Sequence, residues 1–278
     1  MTRRVTPALE EPLAVTHDGA VATLWLNRPA KRNAVTLAMW QGIARLLGEL
    51  AADPAVRVLV VRGAGDHFCA GADIAELAVL GEPASGSSYR AVNRAAEDAL
   101  SRFPKPSIAL LEGFCIGGGC ELAVACDLRL AESGARFGIT PARLGIVYPP
   151  FALERVVKLI GASAAKYLLY SGELIDAARA LRVGLVDEVH DTAVLEERVH
   201  AFASTLAAQS LLTQRAAKEM IAAVVDHGAI DAELARAWEL EGQAGPDLPE
   251  GLRAFAQRTR PRFTWAAPRE RPKQSGER

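Results

Sequence analysis

Short unbroken apolar runs, set apart by glycine-bearing turns and amphipathic stretches, dominate the first two-thirds of the chain. Leu13 to Thr16 and Val21 to Leu26 read as strands around His17-Asp18-Gly19-Ala20, where Asp-Gly signals a hairpin. Thr36 is placed as the N-cap of a helix through about Ala52, with Met39, Ile43, Leu46, Leu47 and Leu50 on one face. Asp53-Pro54 stops it, and Val58 to Val61 follows as a fully apolar strand. Gly81 to Ser88 has the composition of a flexible segment, and a helix of about Tyr89 to Arg102 runs up to Pro104 and Pro106. Ser107 to Leu111 is a second apolar strand, then a short helix is predicted from about Gly118 to Cys126 and a strand over Asp127 to Ala131. Beyond Pro149-Pro150 nearly everything to Gln257 reads as helix, apart from a short strand near Leu185 to Val189. The pattern predicts an α/β strand-turn-helix core over 1–195, a helical region over 196–265 and a disordered basic tail over 266–278.

Composition narrows the partners. Of 278 residues, 50% are hydrophobic and 23% charged, so a large buried core is expected rather than disorder. A net charge of -1 gives no overall pull toward nucleic acid or a membrane surface. The tail differs locally: Arg253 to Arg278 holds eight Lys or Arg against Glu270 and Glu277. It reads either as a solvated basic end or as a place where Arg258 or Arg260 meets a phosphorylated ligand. Cys69, Cys115, Cys120 and Cys126 lie in or beside apolar stretches without CxxC spacing, as buried thiols of a reducing compartment do. Neither a signal peptide nor a membrane-spanning run is visible, so a soluble cytoplasmic protein is expected. The five histidines are scattered, and GxGxxG, Walker A, HExxH and GxSxG motifs are absent. No metal and no separate cofactor is expected.

Two turns carry the candidate chemistry. His67-Phe68-Cys69-Ala70-Gly71-Ala72-Asp73-Ile74 follows the strand at Val58, and Gly113-Phe114-Cys115-Ile116-Gly117-Gly118-Gly119-Cys120-Glu121 follows the strand at Ser107. Small residues at strand ends let a backbone N–H reach a ligand without a side chain intervening. If the strands are neighbours, the N–H groups of Ala72 and Gly118 converge on one oxygen, an oxyanion hole. Gly118 also opens a helix, so its N–H is an orphan donor at the positive end of the dipole. Glu121, in the first turn of that helix, is positioned for acid–base work; a carboxylate that only complements the dipole is the plainer alternative.

Taken together, Leu26-Asn27-Arg28-Pro29 with Asn33-Ala34, Phe68 to Ile74, Gly117 to Ala123 with Cys126-Asp127, Arg136-Phe137-Gly138, Ala177 to Ala180 with Gly184-Leu185-Val186, and Gly251 to Phe263 resemble the enoyl-CoA hydratase/isomerase (crotonase) family. The motifs run in family order from about residue 12 to 265. The resemblance implies a spiral of ββα units followed by a helical trimerisation region, assembled as a homotrimer or a hexamer. It implies an acyl-CoA thioester substrate whose carbonyl oxygen is held by Ala72 and Gly118 while an enolate forms. CoA, part of the substrate, would lie along Ala70, Asp73 and Ile74 and near Arg28, with Arg258 and Phe263 approaching it, often from a neighbouring subunit.

The chain departs from the family at one position. Hydratases of this type use two glutamates around one water; Glu121 matches the first, and Pro141 stands where the second belongs. Hydration of a 2-enoyl-CoA by Glu121 alone is the leading expectation, with double-bond isomerisation beside it. Thr140-Pro141 with Leu144-Gly145 and Tyr148 also resembles members that decarboxylate methylmalonyl-CoA-type substrates, where Tyr148 would orient the departing carboxylate; those carry His where this chain has Ala72. A non-catalytic scaffold or RNA-binding member is the remaining alternative, opposed by the retained Glu121 and the near-neutral charge.

Overall fold

The computed structural model of the chain describes residues 11–80 and 86–266. The first ten residues, 81–85 of the expected flexible stretch, and the tail from 267 lie outside the described residues. The chain forms two compact units, one through Leu206 and one from Ala207.

The first unit opens with β1 (Leu13–Asp18) and β2 (Val21–Leu26), an antiparallel hairpin in which Gly19 takes φ +54° at the turn. Helix α1 (Leu37–Ala52) starts where Thr36 caps it, its hydroxyl accepting from the Met39 N–H at 3.2 Å. Its buried face is Met39, Trp40, Ile43, Leu47 and Leu50, the 3.6-residue stripe the sequence predicts with Trp40 added and Leu46 only half-buried at its edge. Strand β3 (Val58–Gly63) is buried along its whole length, followed by α2 (Ile74–Leu80) and α3 (Gly86–Ser101). Helix α3 begins at Gly86 rather than about Tyr89, and α2 had no sequence expectation.

Strand β4 (Ser107–Leu111), also wholly buried, leads to β5 (Phe114–Ile116), α4 (Gly118–Ala125), β6 (Leu128–Glu132) and β7 (Arg136–Gly138). Then come α5 (Pro150–Ser171), β8 (Ile175–Asp176), α6 (Ala177–Arg182), β9 (Glu188–His190) and α7 (Thr192–Ala208). The larger sheet has the order β1-β2-β3-β4-β6-β9, parallel from β2 onward; the smaller is β5-β7-β8. The smaller sheet was not anticipated, because strands of two or three residues are too short to show a period. The last strand starts at Glu188, later than expected.

Helix α7 buries Leu195, Val199 and Ala203 and is fastened by Glu196 to Arg62 of β3 at 2.8 Å and by Arg198 to Glu188 of β9. Those ties carry the first unit to Leu206, past the boundary placed at 195. The second unit contains α8 (Leu211–His227), α9 (Ala232–Ala244) and α10 (Asp247–Gln257). Its own core is Leu211, Leu212, Ala216, Trp238 and Trp265. Buried Asp247 ties the unit's end to its start, accepting from the Ser210 hydroxyl at 2.6 Å and from the Trp265 N–H at 3.1 Å.

Candidate active site

The two glycine turns meet because residues 68–72 run alongside 112–116. Phe68 N–H donates to Glu112 O at 2.7 Å, Cys69 N–H to Phe114 O at 2.8 Å, and Ile116 N–H back to Cys69 O at 3.0 Å. The parallel pairing of β3 with β4 delivers both segments to the same end of the sheet. The other side of the first turn is held by Val35, whose N–H donates to Gly71 O at 2.8 Å and whose carbonyl accepts from Asp73 N–H at 2.9 Å. A strand residue bracketed in this way leaves the intervening N–H, that of Ala72, facing away from Val35. It faces the second turn: a Cβ built on Gly118 would lie 3.3 Å from the Ala72 nitrogen.

Gly118 is the first residue of α4, so its N–H has no intrahelical acceptor. Among the described residues neither it nor the Ala72 N–H has a hydrogen-bond partner. Gly117, at φ +54° and ψ -116°, makes the bend that starts α4, and its own N–H is spent on Gly138 O at 2.9 Å. Gly119 is glycine for packing, since a Cβ there would stand 2.5 Å from Cys69 O. The indole of Trp40, fully buried, underlies Gly118 and donates to the Tyr89 hydroxyl at 2.9 Å.

Glu121 follows one turn along α4 and is buried. Burial pushes its carboxyl above the ordinary range; hydrogen bonding from Glu97, Asn93 and Tyr148 and the charge of Arg155 oppose this. Asn93 Nδ2 reaches Glu121 Oε2 at 3.3 Å. The Tyr148 hydroxyl lies beside the same carboxylate and favours its charge, yet completes no hydrogen bond of good geometry and remains a buried donor. Its own ionisation is driven well up by burial and then by the Glu121 charge, so it stays a neutral phenol.

Arg28 Nη1 donates to Ala34 O at 2.6 Å and to Asp73 Oδ2 at 2.9 Å, while Asp73 Oδ1 takes the Ala75 and Glu76 N–H groups at the start of α2. The Arg28 hydrogen bond, offset in part by burial, holds the Asp73 carboxyl below its usual range. Ala70 is half-buried with its N–H on Arg32 O, and Ile74 is 48% exposed. Asn33 locks this stretch, accepting from Arg28 N–H and donating to Ala64 O and His67 O. Arg258 and Phe263 belong to the second unit: Arg258 is exposed at the C-cap of α10 with φ +54°, and the Phe263 ring lies against Gly251.

The second carboxylate position is Pro141, which opens a short 3-10 turn, Pro141–Arg143, just beyond β7. Since β5 and β7 are parallel, this turn leaves the small sheet at the same end as Gly117. Sequence reasoning missed Glu97, which is fully buried on α3 next to Glu121. The signal was present: Asn93 and Glu97, four apart, interrupt an apolar stripe that includes Tyr89, Ala96 and Leu100. All four cysteines are buried thiols outside any disulfide, and burial raises that of Cys69 to about 12, which keeps it protonated. Among the described residues no His, Cys, Asp and Glu group is arranged to hold a metal ion, and no helix is long and apolar enough to cross a membrane.

The family model described as enoyl-CoA hydratase/isomerase matches residues 16–266. A 2,3-dehydroadipyl-CoA hydratase of Escherichia coli is 35% identical over 90% of this chain and 98% of its own length. A crotonyl-CoA hydratase of Syntrophomonas wolfei is 32% identical over 91% of this chain and 98% of its own. The crystal structure of an enoyl-CoA hydratase from Bacillus anthracis superposes with a TM-score of 0.85 at 30% identity, covering 91% of this chain and 99% of that one.

Proposed function

The chain belongs to the enoyl-CoA hydratase/isomerase family, and on that premise we propose that it adds water across the double bond of a 2-enoyl-CoA thioester. The observation that carries this is a pair of unspent backbone N–H groups, Ala72 and Gly118, with a buried carboxylate one helical turn away. The thioester oxygen accepts from both donors, in a site where fixed dipoles act more strongly than in water. Glu121 takes a proton from a water whose oxygen bonds to C3. The C2–C3 π pair moves onto C2 and the carbonyl, and the resulting enolate is held at the two N–H groups. Glu121 then returns its proton to C2, so one carboxylate serves as base and acid in turn. That two relatives at 32% and 35% identity are named as hydratases supports this direction.

Pro141 favours one second reading. A proton shift from C2 to C4 of a 3-enoyl-CoA needs a single carboxylate and the same enolate, so isomerisation draws on the same residues. Decarboxylation draws on less, because the Tyr148 hydroxyl assigned to the departing carboxylate lies against Glu121, whose charge repels it. Arg28, with Asp73, Ala70 and Ile74, forms the rim we assign to CoA. Exposed Leu252 and Phe255 on α10, the latter 86% exposed, support self-association as a trimer or hexamer, which light scattering measures.

The test is turnover of crotonyl-CoA and of a 3-enoyl-CoA by the wild type and Glu121→Gln, with products read by mass spectrometry in deuterated water. Loss of roughly 10²–10⁴ in kcat is expected for the variant. Unchanged hydration by Glu121→Gln rules out its role, and conversion of the 3-enoyl-CoA to the 2-enoyl-CoA without added water selects isomerisation.

A further inference from the structure

Glu97 lies behind Glu121, away from solvent, and its surroundings do not suit a second full negative charge. Its Oε2 accepts from Arg155 Nη1 at 2.8 Å, whereas Oε1 is buried without a geometric partner. The Glu121 carboxylate of α4 stands next to it. Two buried carboxylates in contact are tolerable only if a proton lies between them. The other groups facing the pair are Asn93 and Tyr89 on α3, the Cys69 thiol of the first turn, the neutral Tyr148 ahead of α5, and Arg155 on α5. Arg155 does not demand an ionised Glu97, because its other nitrogen is answered by Asp98 and by the Ser101 hydroxyl at 3.2 Å. The carbonyl oxygen of a neutral acid still accepts the remaining Nη1–H, in a weaker bond than a carboxylate would make.

We propose that Glu97 is a positioning residue for Glu121: its Oε1 carries a proton and donates it in a hydrogen bond to the Glu121 carboxylate, so that the two act as one monoprotonated acid pair. This rests on the reading of Glu121 as the acid–base group. The arrangement supplies from α3 a partner for the carboxylate that the chain lacks at Pro141, though behind Glu121 rather than across the substrate. The Glu97 proton is not consumed. Before turnover the pair holds one proton, after water is deprotonated it holds two, and delivery to C2 returns it to one. With Asn93 on Oε2, the Glu97 donor fixes the Glu121 plane and stabilises its charge. Burial and then the Glu121 charge push Glu97 up to about 9, consistent with a neutral acid at pH 7.

The experiment compares wild type, Glu97→Gln and Glu97→Leu. The amide of glutamine still donates but cannot ionise, so Glu97→Gln should keep kcat within about threefold at pH 7 and lose the alkaline fall that ionisation of the pair imposes. Glu97→Leu removes the donor and should lower kcat about tenfold or more with KM little changed. Infrared difference spectra at pH 7 provide a readout independent of turnover. A protonated-carboxyl C=O stretch should be present in the wild type and absent from Glu97→Gln. No such band in the wild type overturns the shared proton, as does an identical pH profile in all three proteins. A band that disappears in Glu97→Gln, without enoyl-CoA turnover by the wild type, upholds the pair and overturns the reaction assigned to it.

Discussion

Gly118→Ala separates the oxygen-binding role proposed for the second turn from its packing role. Gly118 is not in the left-handed region, so alanine meets no backbone strain there. Its new Cβ would lie 3.2 Å from Trp40 Cζ2 and 3.3 Å from the Ala72 nitrogen, closer than ordinary contact by a few tenths of an ångström. Overpacking of that degree costs about 1–3 kcal/mol. Alanine in place of glycine in a helix returns about 1 kcal/mol. The net loss is therefore at most about 2 kcal/mol, and the fold should persist. The methyl group, however, crowds the space beside the Ala72 N–H. An oxyanion must sit roughly 2.7–3.1 Å from that nitrogen, and it cannot share the space with a methyl carbon. Losing one such donor costs about 10²–10³ in kcat, or about 2.7–4 kcal/mol of transition-state stabilisation.

The assay measures kcat and KM for crotonyl-CoA by loss of the conjugated thioester absorbance, alongside Tm by differential scanning fluorimetry. Gly119→Ala is the comparator: its Cβ would stand 2.5 Å from Cys69 O and 2.9 Å from Cys69 Cβ, and backbone cannot yield that much. It should lose stability and activity together, whereas Gly118→Ala should lose activity with Tm nearly intact. If Gly118→Ala keeps kcat within about threefold of the wild type at unchanged Tm, the Ala72–Gly118 pair does not hold the reacting oxygen. Equal Tm losses in both variants would reduce Gly118 to a packing residue.

Stability should depend on pH through Glu97. Its carboxyl rises from 4.5 to about 9 in the fold, so its contribution is complete below pH 4.5 and is lost as pH climbs through about 9; urea titrations should show wild type falling relative to Glu97→Gln across that window, and parallel curves refute it. Pro141→Glu should raise crotonyl-CoA hydration about tenfold, since Pro141 opens a short turn that tolerates other residues and a carboxylate there adds a second proton donor. No gain in that variant, with Tm preserved, indicates that Glu121 and its α3 neighbours already supply what the water needs.

The sequence was readable wherever one period ran long enough. The cap at Thr36, the α1 stripe and the wholly apolar β3 and β4 follow from local rules, and the structure has them. The two turns were readable as turns because glycines cluster where strands end, and the structure brings them side by side. The bridge that joins them was not: Cys69 pairs with Cys115 and Ala72 with Val35 through single residues, which leave no pattern. Nor was the role of Asn33 legible, since its two carbonyl acceptors, Ala64 and His67, lie beyond a whole helix and strand. Glu97 was legible in principle as a charge on an apolar stripe, but an isolated charge on a helix usually faces water. Only the packing of α3 on α4 turns it inward.

On the proposed reading, the Ala72 and Gly118 N–H groups answer only to charge on the thioester oxygen and are indifferent to which bond breaks. Choice of reaction must therefore lie with the groups that move protons. In the proposed pair that group is Glu121 on α4, with fully buried Glu97 of α3 beside it; Pro141, which opens the turn after β7, has no proton to give. A carboxylate backed by a neutral acid exchanges one proton at a time, taking it from one atom and returning it to another while the proton on the backing acid is not consumed. Hydration and isomerisation both fit that capacity, and they differ only in whether water or C4 stands at the far side of C3. The residues that decide this are those that shape the space opposite Glu121. Pro141→Glu tests this directly, because it adds a group that can carry a proton at the turn after β7 and leaves the glycine turns unchanged.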